Sequence, residues 1–152
     1  MDYYQMCCRE IFGFHVDGDK SQDDGTFFSL SGEFLEAARV LQARPRGRIG
    51  YSSAIYYLLG HSAELLLKAF LYKHKRTIKD LKTISHDLET LASLAIGAGL
   101  PETVKLEQTL RLSAAYKEKA LEYRTRKGKT FPALGLLTEE IEKLQSAVFD
   151  KL

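Results

Sequence analysis

Apolar residues recur at helical spacing through most of this chain, and the segment Tyr51 to Arg76 (YSSAIYYLLGHSAELLLKAFLYKHKR) is apolar around nearly its whole circumference. At about 100° per residue, Ser53, Tyr57, His61, Glu64, Lys68, Tyr72 and Lys75 fall in one narrow polar stripe. Ile55, Leu58, Leu59, Leu65, Leu66, Leu67 and Phe70 surround the rest. Such a helix is central to its fold, and its polar stripe is either the one side that meets water or a lined binding site. The predicted span, Gly50 to Lys75, is roughly 37 Å long at about 1.5 Å per residue. Gly60 inside it costs about 1 kcal/mol relative to alanine, which points to close approach of a neighbouring helix.

The remaining pattern predicts further helices. One begins near Ser29 or Ser31, carries Phe34, Leu35, Ala38 and Leu41 inward, and stops before Pro45 and Gly47. Another is signalled by Ser85 as cap, with Asp87 and Glu89 near the positive end of the dipole and Leu88, Leu91, Leu94 and Ala95 as apolar face. Gly97 and Gly99 end it. Pro101 then opens a helix through Val104, Leu106, Leu110, Leu112, Ala114 and Tyr116, extending toward Tyr123. After Gly128 and Pro132 the last helix spans Leu134 to Phe149, with Leu137, Ile141, Leu144 and Val148 on one stripe. No alternating strand pattern of useful length occurs. The expected fold is all-α, an antiparallel bundle of four or five helices over residues 29 to 152, preceded by an irregular arm over residues 1 to 28.

At 152 residues and 45% hydrophobic content, one domain with a substantial core is expected. No apolar run approaches the roughly 18 residues of a membrane span, and no secretory leader pattern opens the chain, so the expectation is a cytoplasmic protein without membrane contact. Cys7 and Cys8 are adjacent and supply neither a disulfide framework nor a four-cysteine zinc site. Net charge is only +2, but twelve of the twenty-two basic residues lie in three stretches. These are Arg44, Arg46 and Arg48; Lys73, Lys75, Arg76, Lys79 and Lys82; and Arg124, Arg126, Lys127 and Lys129. Asp17, Asp19, Asp23 and Asp24 balance them. The basic stretches are either solvated loops or parts of a phosphate-binding surface.

Candidate chemistry is sparse. There is no glycine-rich phosphate loop and no histidine pair at i and i+4, so neither a P-loop enzyme nor a metal site is indicated, and no cofactor is expected. On the central helix His61 lies beside Glu64 and Tyr57, a trio able to relay protons, to orient a partner helix or to meet water. Glu64 and Lys68 are spaced for a local ion pair, worth about 0.2–0.5 kcal/mol if exposed. His86 falls in the first turn of a predicted helix, where the dipole favours the neutral ring and a capping or packing role. His74 is expected to be an exposed end residue. Tyr123 beside Arg124, Arg126 and Lys127 can stack on a base while the cations contact phosphates.

Together, YYLLGHSAELLLKAFL (Tyr56 to Leu71), a basic connector, SHDLETLA (Ser85 to Ala92), LSAAY (Leu112 to Tyr116) and EYRTRKGKTFP (Glu122 to Pro132) resemble the HEPN superfamily. The name stands for the higher eukaryotes and prokaryotes nucleotide-binding domains. The resemblance covers roughly residues 30 to 149 and implies an antiparallel helical bundle, homodimerisation and association with RNA or a nucleotide. It also implies a role in toxin and antitoxin or phage-defence systems, with a cognate antitoxin or nucleotidyltransferase-like protein as partner. Ribonuclease members carry arginine followed after four to six residues by histidine near the start of a late helix. Here Arg124 and Arg126 have no histidine downstream, and the one spacing match, Arg9 to His15, lies in the arm. The expectation is an RNA- or nucleotide-binding module using Tyr123, Arg124, Arg126 and Lys127 without the family's usual ribonuclease activity. The alternatives are an RNA-cleaving toxin, metal-independent, with His61 or His86, Glu64 and Arg124 as its unorthodox set, and a protein-interaction bundle with no nucleic-acid ligand.

Overall fold

The computed structural model describes residues 23–45, 47, 48, 50, 52–123 and 128–152. Among them are six helices and no strand: α1 (Asp24–Gln42), α2 (Ser52–Lys73), α3 (Ile78–Ile84), α4 (Leu88–Gly97), α5 (Glu107–Lys117) and α6 (Leu134–Phe149). The all-α bundle is as expected, with one helix more than the four or five that apolar spacing indicates. That helix, α3, lies within the stretch read as a basic connector. It forms because Thr77 and Asp80 cap each other's backbone amides, and it buries only Leu81.

α2 is the spine and packs against α1, α3, α4, α5 and α6. Leu59, Leu66, Leu67, Phe70 and Leu71 are completely buried, each contributing about 1.5–3 kcal/mol, so the helix easily absorbs the unfavourable propensity of Gly60. α1 runs antiparallel to it, as the pairs Phe27 with Tyr72, Ser31 with Ser62 and Phe34 with His61 show. Small side chains let the two approach where Ser31 and Ser62 meet: both are at 0% exposure, and Ser62 Oγ donates to the Ser31 carbonyl at 2.9 Å. α6 is antiparallel to α1 in turn, with Arg39 on Glu142 and Gln42 on Thr138.

Helix boundaries correct the sequence reading in three places. α1 starts at Asp24 rather than at Ser29 or Ser31, because Asp23 accepts from the Thr26 amide at 2.7 Å and Phe27 is buried edge-on against Tyr72. Residues 24–28, assigned to the irregular arm, are therefore helical, and residues 1–22 lie outside the described residues. Ser85 does not cap α4. It closes α3 in the left-handed region (φ 57°), and Asp87 caps α4 through the Thr90 amide. α5 begins at Glu107 rather than at Pro101 and ends at Lys117, short of Tyr123. It has no cap of its own: the buried Glu140 of α6 accepts from the amides of Gln108 and Thr109 and from the Thr109 hydroxyl. α6 spans the residues expected.

The approach predicted at Gly60 is made by α5. A Cβ there would stand 2.7 Å from Tyr116 Cδ2, 2.9 Å from its Cε2 and 3.2 Å from Leu112 Cδ2. Gly60→Ala would gain about 1 kcal/mol of helix propensity but overpack a ring whose hydroxyl is tethered, at a cost of about 1–3 kcal/mol. The expected result is a net loss near 1 kcal/mol in denaturant unfolding. A gain in stability would show that the Tyr116 ring is free to move.

Candidate functional site

The middle of the α2 polar stripe is covered rather than bathed in water. Glu64 is 1% exposed, roofed by Tyr116 from α5 and by His86 from the α3–α4 connection. Its Oε1 accepts from Lys68 Nζ at 2.5 Å. Its Oε2 accepts from the Tyr116 hydroxyl at 2.7 Å and pairs with His86 Nδ1 at 2.9 Å. His61 Nδ1 lies 3.0 Å from the Tyr116 oxygen and 3.6 Å from Glu64 Oε2. No buried side-chain nitrogen or oxygen among the described residues is left without a partner.

Tautomers follow from this arrangement. An ionised carboxylate only accepts, so His86 Nδ1 carries a hydrogen. Tyr116 spends its proton on Glu64 and therefore accepts from His61 Nδ1–H. Both rings thus turn Nε2 away from the carboxylate, and their side chains are 23% (His61) and 48% (His86) exposed. His61 is further fixed by the Phe34 ring, edge-on at 4.5 Å, and by the Tyr57 ring, stacked at 6.0 Å. A base or acid at either Nε2 would be held in one orientation, as catalysis or specific hydrogen bonding requires.

Electrostatics keep the cluster charged. Burial opposes ionisation of Glu64, but the neighbouring His61 ring and the hydrogen bonds from Lys68 and His86 outweigh it and hold the carboxyl at about 2, against an ordinary 4.5. Tyr116 is pushed strongly upward, first by burial and then by the Glu64 charge and hydrogen bond, so its phenol stays protonated and keeps donating. The local ion pair that the sequence spacing offered between Glu64 and Lys68 thus forms with its carboxylate buried and its lysine side chain 12% exposed.

His61 and Glu64, both proposed from sequence, are brought together. Lys68 was placed on the same stripe, but His86 and Tyr116 were not assigned to the cluster. His86 is not a cap, since it precedes the cap Asp87 and is outside the first turn of α4; it packs edge-on against the Tyr116 ring at 5.9 Å and is half-exposed on the Glu64 carboxylate. The signal for it was the short SHDL segment; nothing local to that segment identifies its partner 22 residues earlier. His74 is exposed at the end of α2, as expected, with its ring stacked on Phe70 and Nδ1 against the Phe70 carbonyl.

Of the other candidates, Tyr123 is 67% exposed in the turn after α5. Arg124, Arg126 and Lys127 lie outside the described residues, as do Cys7, Cys8, Arg9 and His15. Lys129 pairs with Glu118, and Lys117 with Asp87. Among the described residues no helix is long and apolar enough to cross a membrane. Comparison with protein-family models, curated proteins and solved structures gave no match.

Proposed function

We propose that the chain is a HEPN-like module that binds RNA or a nucleotide through Tyr123 and the adjoining Arg124, Arg126 and Lys127, without the ribonuclease reaction usual for that superfamily. The observation that carries this reading is the Tyr123 ring, the most exposed aromatic of the described residues together with Phe149, directly preceding a run rich in cations. An exposed ring next to guanidinium and ammonium groups suits base stacking with phosphate contact. The Glu64 cluster fits a supporting role, because both carboxylate oxygens are occupied by groups of the protein itself. In this reading the module works as a homodimer in a toxin and antitoxin or phage-defence system, beside an antitoxin or nucleotidyltransferase-like partner.

A second reading is favoured by one feature, the two imidazoles held with Nε2 turned away from the Glu64 carboxylate. In it, His61 and His86 act as acid and base in metal-independent RNA cleavage, with Arg124 on the phosphate. Incubating labelled single-stranded RNA with the protein, and scoring gel shift and cleavage together, separates the two. Salt-sensitive binding that Arg124→Ala and Tyr123→Ala weaken, without cleavage, is the expected result. Cleavage abolished in His61→Ala or His86→Ala would transfer the function to the cluster, and absence of both binding and cleavage would leave a protein-interaction bundle.

A further inference from the structure

At the corner where α2 gives way to α3, Asp24, Tyr72, Lys73, Lys75, Arg76 and Thr77 line a cleft of about 570 Å³. That volume is in the range of small-molecule sites. One cation in it is committed to the fold: Lys73 Nζ stands 3.6 Å from Asp24 and donates to the Leu152 carbonyl at 2.5 Å. Lys75 and Arg76 are exposed and make no side-chain hydrogen bond or ion pair among the described residues. The nearby Asp80 acts on Arg76 only at a distance, since its carboxylate is engaged in the Thr77 capping box. With Asp24 balanced by Lys73, the residues lining the cleft carry an excess of two positive charges beside the half-buried Tyr72 ring, with the Asp80 charge at the edge behind Thr77.

The backbone adds to this. The Arg76 amide donates to the Leu71 carbonyl and the Lys75 amide to that of Tyr72, the paired bonds that close a helix through one left-handed residue. Lys75 is that residue, at φ 70°, where glycine is the favoured occupant. Lys119 holds the corresponding place after α5, so the conformation alone does not single out Lys75; the cleft into which it is set does.

We infer that this corner binds the phosphate groups of a nucleotide unit, free or within a single strand, through Lys75 and Arg76, with Tyr72 as an aromatic wall for base or sugar. A guanidinium fork matches phosphate oxygens bidentately, and a flexible ammonium beside it serves as a second point charge. The inference rests on the RNA- or nucleotide-binding reading and gives it a second contact surface, remote in sequence from Tyr123.

The test measures equilibrium binding of ATP, inorganic tripolyphosphate and a labelled single-stranded oligoribonucleotide to the full chain. Wild type is compared with Lys75→Gly, Arg76→Ala and Tyr123→Ala over a range of salt. Lys75→Gly and Arg76→Ala are each expected to weaken strand binding about fivefold or more and to reduce the logarithmic salt slope by about 0.7. Lys75→Gly should at the same time raise the melting temperature, because glycine relieves the left-handed backbone, so lost affinity cannot be lost folding. Dependence of ATP and tripolyphosphate binding on Lys75 and Arg76 would identify a free nucleotide as the ligand; dependence of the strand alone would identify the strand. If Tyr123→Ala abolishes strand binding while both corner variants bind all probes as wild type does, the corner site falls and the general reading stands. If the corner variants weaken binding and Tyr123→Ala does not, the corner stands and the Tyr123 surface falls. Wild-type protein that binds none of the probes overturns both.

Discussion

Replacing Glu64 with alanine is expected to destabilise the protein by about 3–5 kcal/mol, the range for removing one partner of a buried ion pair. The loss exceeds that of the side chain itself because of what remains. Lys68, with a side chain only 12% exposed, keeps a charge with no carboxylate opposite it, and the Tyr116 hydroxyl and His86 Nδ1 lose their acceptor. For a chain of this size the melting temperature should fall by roughly 10 °C or more. Glu64→Gln should cost less, since the amide oxygen can still accept one of these bonds. Combining Glu64→Ala with Lys68→Met should recover part of the loss, because the orphaned ammonium is gone. Equilibrium unfolding of the three variants checks this, and a Glu64→Ala cost below about 1 kcal/mol would show that water enters the cluster freely.

Acid should unfold the protein largely through the same residue. Glu64 has a folded value of about 2 and an unfolded value near 4.5, so its contribution is fully present above about pH 5 and is lost as pH falls through 4.5 toward 2. At about 1.36 kcal/mol per pH unit the span amounts to roughly 3 kcal/mol. Asp23, Asp80 and Asp87 are also lowered, by the helix-capping hydrogen bonds of Thr26 and Thr77 and, for Asp87, chiefly by Lys117. They share the acid limb with Glu64, so its part must be isolated by difference. Unfolding free energies of wild type and Glu64→Ala, measured between pH 6 and pH 3, should converge as pH drops. Parallel curves would mean that Glu64 is not held ionised against burial.

The parts of this fold visible in the sequence were those with a continuous apolar stripe. α6 follows from Leu137, Ile141, Leu144 and Val148, and α2 from an apolar surface interrupted by one polar line. α3 has one buried leucine among lysines, so its capping box, Thr77 with Asp80, was the only local signal. The start of α1 was hidden because Asp23 and Gly25 resemble loop residues until Phe27 is seen against Tyr72. The site divides in the same way. Glu64, His61 and Lys68 share a helix face and could be grouped by counting, whereas Tyr116 and His86 reach Glu64 across separations of 52 and 22 residues. Periodicity carries no information about such pairings. Gly60 alone hinted at the α5 contact, and it did not say which residue would fill the gap.

The cap that α6 lends to α5 bears on the order in which the chain acquires its structure. The first turn of α5 has its amides satisfied by Glu140, about thirty residues later, and not by any neighbour. During synthesis α5 emerges before that carboxylate exists, so its first turn frays until α6 docks. Amide exchange at Gln108 and Thr109 is therefore expected to report the docking of α6 rather than the winding of α5.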